Sequence, residues 1–442
     1  MAAGLMAGRR KARAEAEAEL SPSQLRECPG CGLLQTVPPM ARGMTARCAR
    51  CPTTLHKTAS YPLDHSIALT FAALILLIIT CSTVLMGVST AGLRITANIF
   101  SGPIELGARH MPELGLVVVF VTVIAPFIKL SGTLYVLIRL REARPPAHLR
   151  RVFAIAEWLR PWTMIEVFVF GVFVAYVKLG DLVTITLQHG VFALLALTFA
   201  IIWADSALDR EEVWERLAGR GAGAPRAPLP ARYDEVMGCE ICGFVAVPSE
   251  EGHCPRCGTH VHRRKPNSVA RTWALVIAAA VMYIPANYFP VLTVMQLGAG
   301  APSTILGGVE ELVASKMYPL AALVFFASIA VPMMKLIGLT TMLVSIQTGR
   351  TGWLRDRTKL YHIVRWIGRW SMIDIFMEAL LGALVKFGNA ITIEPGIGAD
   401  AFCAVVILTM LAAETFDPRL MWDSAERRSP APSRNAAALP AA

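Results

Sequence analysis

Eight of the ten cysteines come as pairs separated by two residues. Thiols so placed are metal ligands or redox couples first of all. Cys28-x2-Cys31 is followed, sixteen residues on, by Cys48-x2-Cys51; Cys239-x2-Cys242 is followed, eleven residues on, by Cys254-x2-Cys257. Two such knuckles facing each other close a tetrahedral four-thiolate site with no open position, which makes the ion structural rather than catalytic. Gly30, Gly32, Gly243 and Gly258 suit the tight turns. The expectation is two structural zinc ions, each supplying most of the folding energy of a ribbon too short to build its own core. Disulfides are the first alternative, disfavoured by a cytoplasmic setting; thioredoxin-like redox couples are the second, disfavoured because the pairs come in twos. His253, His260 and His262 are then surface residues, and Cys81 and Cys403 small packing residues inside apolar runs.

A second constellation is ionisable and lies where the chain is most apolar. Lys129 and Lys335 sit ten and twelve residues from the ends of long apolar runs near Arg139 and Gln347. At helical rise that is roughly 15–18 Å, the middle of a bilayer. A lysine there costs several kcal/mol, so it faces a bundle interior or a wet cavity. Pro126 and Pro332 stand three residues before them and predict a kink in each helix. The expected partners are Glu166 and Asp374, roughly 6 Å inside the Trp162 and Trp370 anchors. Ser371, Asp374 and Glu378 recur at i, i+3 and i+7, one helical face; Phe170 stands where Glu378 would be in the first copy. Ser328 and Thr409 extend this patch, and Pro285-Ala-Asn287-Tyr-Phe-Pro290 occurs in the second copy alone. The working site is therefore expected in the second copy, the alternative being a buried ion pair that only fixes packing.

The elements that must position these groups are membrane helices. Hydrophobic residues make up 55% of the 442 and charged residues only 17%, well below the roughly 25% of soluble domains. Eight apolar runs recur, at Ile67–Gly87, Leu114–Ile138, Met164–Val177, Val191–Trp203, Thr272–Leu297, Tyr318–Ile346, Met372–Phe387 and Ala401–Ala413. Buried helices of a soluble core are the bland reading of such runs. Residues 1–20 carry no apolar stretch that would read as a signal peptide. With eight spans and both termini inside, all but seven of the 42 lysines and arginines fall on the inner side. Arg94, Arg109, Lys178, Lys316 and Lys386 are outside, and Lys129 and Lys335 lie within spans. That asymmetry is what the positive-inside rule asks for. The net charge of +10 thus reads as a topology signal rather than a nucleic-acid footprint.

The sequence also repeats. Glu157–Asp181 matches Arg365–Asn389 at an offset of 208, with Trp158/Trp366, Trp162/Trp370, Phe168/Phe376 and Lys178/Lys386 among the identities. Pro126-Phe-Ile-Lys129 matches Pro332-Met-Met-Lys335. The predicted architecture is an all-α polytopic membrane protein: two parallel four-helix modules, each preceded by a small cytoplasmic zinc ribbon. The expected divisions are a disordered tail (1–21), ribbon 1 (22–60), module 1 (61–214), a flexible linker (215–235), ribbon 2 (236–264), module 2 (265–424) and a second disordered tail (425–442). No Walker loop, dinucleotide fingerprint or metalloprotease helix is present, and no enzymatic activity is expected.

The paired knuckles, the Pro-x-x-Lys spans, Trp370-Ser-Met-Ile-Asp374 and Pro285-Ala-Asn-x-x-Pro290 together resemble the paraquat-inducible protein A family, over residues 22–424. The resemblance implies a multi-pass inner-membrane protein of a Gram-negative bacterium. Its implied partner is a periplasm-spanning tunnel protein of the mammalian-cell-entry (MCE) family, and its implied substrate is phospholipid moving between the two membranes. An ion-coupled transporter of a small solute, and a scaffold or sensor whose ribbons bind a cytoplasmic partner, are the alternatives that the residues alone leave open.

Overall fold

The computed structural model describes residues 25–38, 40–58, 61, 63–90, 93–109, 111–142, 146–180, 184–220, 236–296, 299–384 and 391–428. The expected N-terminal tail, most of the linker, the end of the C-terminal tail and Lys386 lie outside them.

Ribbon 1 is two hairpins, β1 (Leu25–Glu27) with β2 (Leu34–Thr36) and β3 (Thr45–Arg47) with β4 (Thr54–Lys57). The first half then runs α1 (Leu63–Ser82), β5 (Met86–Thr90), β6 (Leu93–Ala97), the short helix α2 (Ser101–Ala108) and the long helix α3 (Pro112–Arg139). It continues through α4 (Leu149–Leu159), α5 (Ile165–Gly180), β7 (Thr184–Leu187), α6 (His189–Ala207) and α7 (Arg210–Arg220). Ribbon 2 contributes β8 (Met237–Gly238) and β9 (Val245–Ala246). The second half repeats the first: α8 (Ser268–Tyr288), β10 (Leu292–Gln296), β11 (Ala299–Ser303), α9 (Ile305–Ala314), α10 (Tyr318–Thr348), α11 (Leu354–Gly368), α12 (Ile373–Leu384), β12 (Ile391–Pro395), α13 (Ile397–Thr415) and α14 (Arg419–Arg428).

Seven helical segments among the described residues are long and apolar enough to cross a membrane: α1, α3, α4 with α5, α6, α8, α10 and α13. At the eighth expected position stands α12, whose apolar stretch carries Arg369, Asp374 and Glu378 around it and whose description stops at Leu384. In both long helices a π-helical turn, Phe120–Ile124 or Phe326–Ala330, comes immediately before the Pro-x-x-Lys unit. A proline cannot donate to the preceding turn, and the wider turn absorbs the mismatch.

The chain is mostly helical rather than all-α. On the face away from the ribbons each half carries a three-stranded antiparallel sheet, β6-β5-β7 and β11-β10-β12. Val88 lies opposite Ile95 and Ile185, and its counterpart Val294 lies opposite Ala301 and Ile393. These strands are five residues or fewer, and their third member arrives about a hundred residues later, so periodicity gives no clear sign of them. Gly190 and Gly396 open α6 and α13 against Val84 and Pro290, where a Cβ would strike a backbone carbonyl oxygen.

One hydrophobic core runs through both halves. At its centre Phe168 and Phe376, equivalent residues of the repeat, meet edge to face at 5.4 Å. The ribbons are crossed over. Ribbon 1 packs on the second half: its cysteines share a cluster with Tyr361, Val364, Phe416 and Trp422, Thr53 bonds His362 at 3.1 Å, and the Arg50 guanidinium covers Trp422. Ribbon 2 packs on the first half, with Phe153, Trp214 and Leu217. The two ribbons also touch, through a small core of Leu25, Val236 and Val245 and a bond from the Gly238 amide to Glu27.

Candidate functional site

The eight knuckle cysteines form two buried groups, and within each the four sulfur atoms lie within 4.8 Å of one another. The closest pairs are Cys28 and Cys51 at 3.4 Å, Cys31 and Cys48 at 3.6 Å, Cys239 and Cys257 at 3.5 Å, and Cys242 and Cys254 at 3.7 Å. A disulfide needs about 2.05 Å. Four thiolates on a tetrahedral ion at 2.3 Å stand about 3.8 Å apart, so the geometry fits a metal. Gly32, Gly243 and Gly258 adopt positive φ, and their amides donate to Cys28, Cys239 and Cys254, which sets each loop around the thiols. His260 stacks on His262 and meets His253 at a tilt, and the three belong to neither group.

A network of charges locks the ribbons to the end of α13. Glu27 of ribbon 1 accepts from Arg264 and Arg419; Arg419 also reaches Glu240 of ribbon 2 at 2.7 Å and Asp417 at 3.0 Å. Burial pushes the Asp417 carboxyl up, but Arg419 and the backbone amides of Lys265 and Arg419 outweigh it and hold it below the ordinary carboxylate range. Arg419 is itself pushed up by these carboxylates in spite of burial.

Within the helices every member of the polar set except Glu166 is buried. The expected lysine–acid pairing is not what forms. Lys129 pairs with Asp205 of α6 at 2.7 Å, and Glu166 reaches Arg369 of the other half at 3.4 Å. Lys335 is 1% exposed and donates to the Gly368 carbonyl at 3.1 Å and to Thr409 Oγ1 at 3.4 Å. Asp374 accepts from Ser328 at 2.6 Å. The hydroxyl of Ser371 is buried without a hydrogen-bond partner among the described residues. Asp205 lay unremarked in the sequence because it stands beyond the apolar run, where a charge reads as loop.

Ser328, Asp374 and Glu378 face a cavity of about 70 Å³ on the far side of the second half. Its walls are apolar, with Ile305, Leu312, Met377, Leu381 and Phe402 among them. Ser328 lies in the π-helical turn, which brings its hydroxyl onto Asp374. Thr304, at the rim, is occupied in capping α9 through the Gly307 amide. Lys335 and Thr409 are not part of this lining; they lie about two helical turns towards the ribbons. In the first half the equivalents are Thr122, bonded to its own helix at Val118, and the apolar Phe170. Asn287 donates to the Tyr283 carbonyl within the Pro285 turn of α8.

The family model "Paraquat-inducible protein A" matches the chain twice, over residues 63–218 and 269–426, once for each half and beginning after each ribbon. The chain is 32% identical to lipophilic envelope-spanning tunnel protein A of Escherichia coli K12, over 92% of this chain and 93% of that protein. It is 32% identical to intermembrane transport protein PqiA of the same organism, over 90% and 95%. It is 25% identical to a probable intermembrane transport protein of Haemophilus influenzae, over 92% and 97%. No solved structure matches the chain. The doubled match and the full-length relatives together establish that this chain belongs to the paraquat-inducible protein A family.

Proposed function

We propose that the chain is the inner-membrane component of a system that moves phospholipid between the membranes of a Gram-negative cell. It works with an MCE-family tunnel protein that spans the periplasm. The full-length likeness to intermembrane transport proteins supports this reading. The observation that carries it to a place in the molecule is the far-side cavity, apolar in its walls and polar at Ser328, Asp374 and Glu378. Two carboxylates suit the ammonium of a zwitterionic headgroup rather than its phosphate, while acyl chains leave between the helices. In this reading α12 is the eighth span, the halves lie parallel, and the ribbons and both termini are cytoplasmic, as the lysine and arginine distribution favours. The two cysteine groups hold zinc, which fixes the ribbons and takes no part in transport; the protein is not an enzyme. Buried Lys335, bonded among the described residues to neutral oxygens, favours a second reading in which proton movement drives the transfer.

The deciding experiment is purification of the intact protein from its own membranes. Phospholipid, a single-span tunnel protein and about two zinc ions per chain are expected with it. Protein free of lipid and partner, together with an outer membrane that keeps its integrity when the protein is deleted, overturns the transport reading. A cysteine at Lys316 is expected to be labelled from the periplasm and one at Arg357 not; the reverse pattern inverts the topology.

A further inference from the structure

A second and larger cavity lies between the halves, on the ribbon side, and neither the metal centres nor the far-side cavity uses it. Its volume is about 640 Å³. Five cations line it, Lys57, Arg160, Arg210, Arg365 and Arg369, against three carboxylates, Glu166, Asp205 and Glu414. The carboxylates are already engaged. Glu166 holds Arg369 at 3.4 Å, Asp205 holds Lys129 at 2.7 Å, and Glu414 holds Arg365 at 3.1 Å. Arg210 is held from outside the cavity, by Glu157 at 3.0 Å. Arg160 and Lys57 remain. Both are exposed, and neither side chain has a hydrogen bond or ion pair among the described residues.

Part of the remaining lining is apolar. Trp162, Trp366, Ile201, Ile202 and Met410 form an apolar wall beside the cations. Trp366 and Ile202 are 59% and 50% exposed, so this wall continues onto the outer surface of the helices, where a bilayer would meet it. A guanidinium matches phosphate oxygens two at a time, and tryptophans belong at the depth where headgroup gives way to chain. Basic pockets between membrane helices near the cytoplasmic leaflet suit anionic headgroups.

We propose that this cavity binds the phosphate of an anionic lipid headgroup through Arg160 and Lys57. The lipid enters sideways from the ribbon-side leaflet and lays its chains along Trp366 and Ile202. The proposal rests on the membrane topology given above, and makes the inter-half cavity a lipid site distinct from the one around Asp374. Free phosphate offers the same chemistry without the chains, and the two sources separate in the test.

Intact wild-type protein, Arg160→Gln, Arg160→Gln/Lys57→Gln and the control Arg271→Gln are equilibrated with mixed micelles of phosphatidylglycerol and phosphatidylcholine. Retained lipid is read by native mass spectrometry. Wild type and Arg271→Gln are expected to retain phosphatidylglycerol in preference. Arg160→Gln should lose about fivefold of that preference, as for one guanidinium–phosphate contact, and the double variant more. The Arg160 side chain has no hydrogen bond or ion pair among the described residues, so its loss is not expected to disturb folding. Millimolar inorganic phosphate that fails to compete identifies the lipid headgroup as the source. Phosphate that binds by itself and displaces the lipid keeps the phosphate site but makes its ligand soluble. Equal retention of both lipids, or an equal loss in Arg271→Gln, overturns the proposal. Retention that depends on Arg160 in a protein that moves no phospholipid between membranes would leave this site standing and remove the proposed function. Transport without such retention would do the opposite.

Discussion

The two halves share a fold and differ in what they bury. In the first, the intramembrane lysine has a carboxylate: Lys129 and Asp205 meet at 2.7 Å. In the second, Lys335 meets a carbonyl and a hydroxyl among the described residues, and the acid of the neighbouring helix bonds a serine. Phe170 closes in the first half what Glu378 keeps polar in the second. A charge pair that satisfies itself is a packing element. Polar groups gathered beside an apolar cavity can take something else. Duplication made the two arrangements separable: one copy could pair its lysine with an acid while the other kept polar groups beside the far-side cavity.

The largest expected effect tests the crossing of the ribbons. Cys51→Ser removes one thiolate from a group whose ion would contribute on the order of 10 kcal/mol. Bound zinc should fall from about two to one per chain, and the newly protease-sensitive segments should be α11 and α14, in the second half. Sensitivity confined to the first half would break the crossed assignment.

The next prediction sets the lysines against each other. Lys335→Met removes a buried ammonium that pairs with no carboxylate among the described residues, so inserted protein should stay near normal while transport falls about tenfold or more. Lys129→Met leaves Asp205 half-buried without its partner, and should cost about 1–3 kcal/mol of stability with transport per folded molecule little changed. Normal outer-membrane integrity in well-expressed Lys335→Met would sink the placement of the working site in the second half. Smaller again is Glu378→Phe, which gives the second half the residue of the first. It should reduce transport severalfold with stability kept, because an apolar side chain replaces a carboxylate in a buried wall.

The smallest effect concerns acid. A carboxyl held below its ordinary value, about 3.9, lends stability that is whole above that value and lost as pH falls through the folded one. Asp417 is such a group. Melting of the wild type should weaken on acidification below about pH 4, and Asp417→Asn should show a shallower acid slope from a lower starting point. A wild-type slope unchanged in that variant would remove Asp417 from the lock.

Much of this was legible in the sequence, for reasons that differ from residue to residue. Cysteine pairs are read from spacing because a knuckle is a local turn, and spans from hydropathy because lipid imposes it on every residue. The buried lysines stood out through the repeated proline three residues before each. The partner of Lys129 did not, since helix rotation decides whether Asp205 or Glu166 comes within reach. The outer sheets escaped because their pairing closes over about a hundred residues. The inter-half cavity escaped because its arginines had already been explained as topology. The crossing of the ribbons left no local trace at all: Thr53 and His362, which meet at 3.1 Å, are 309 residues apart.

That separation sets a timetable for the growing chain. Ribbon 1 is made first, yet the surface it rests on is completed only when α14 has emerged, close to the end. At about 5–20 residues per second, translation leaves the ribbon undocked for on the order of tens of seconds. During that interval it must keep its shape without its neighbour, which a metal clasp allows and a core of this size would not. The first and last parts of the chain therefore report on each other, and a molecule cut short before α14 would display a folded ribbon with nowhere to rest.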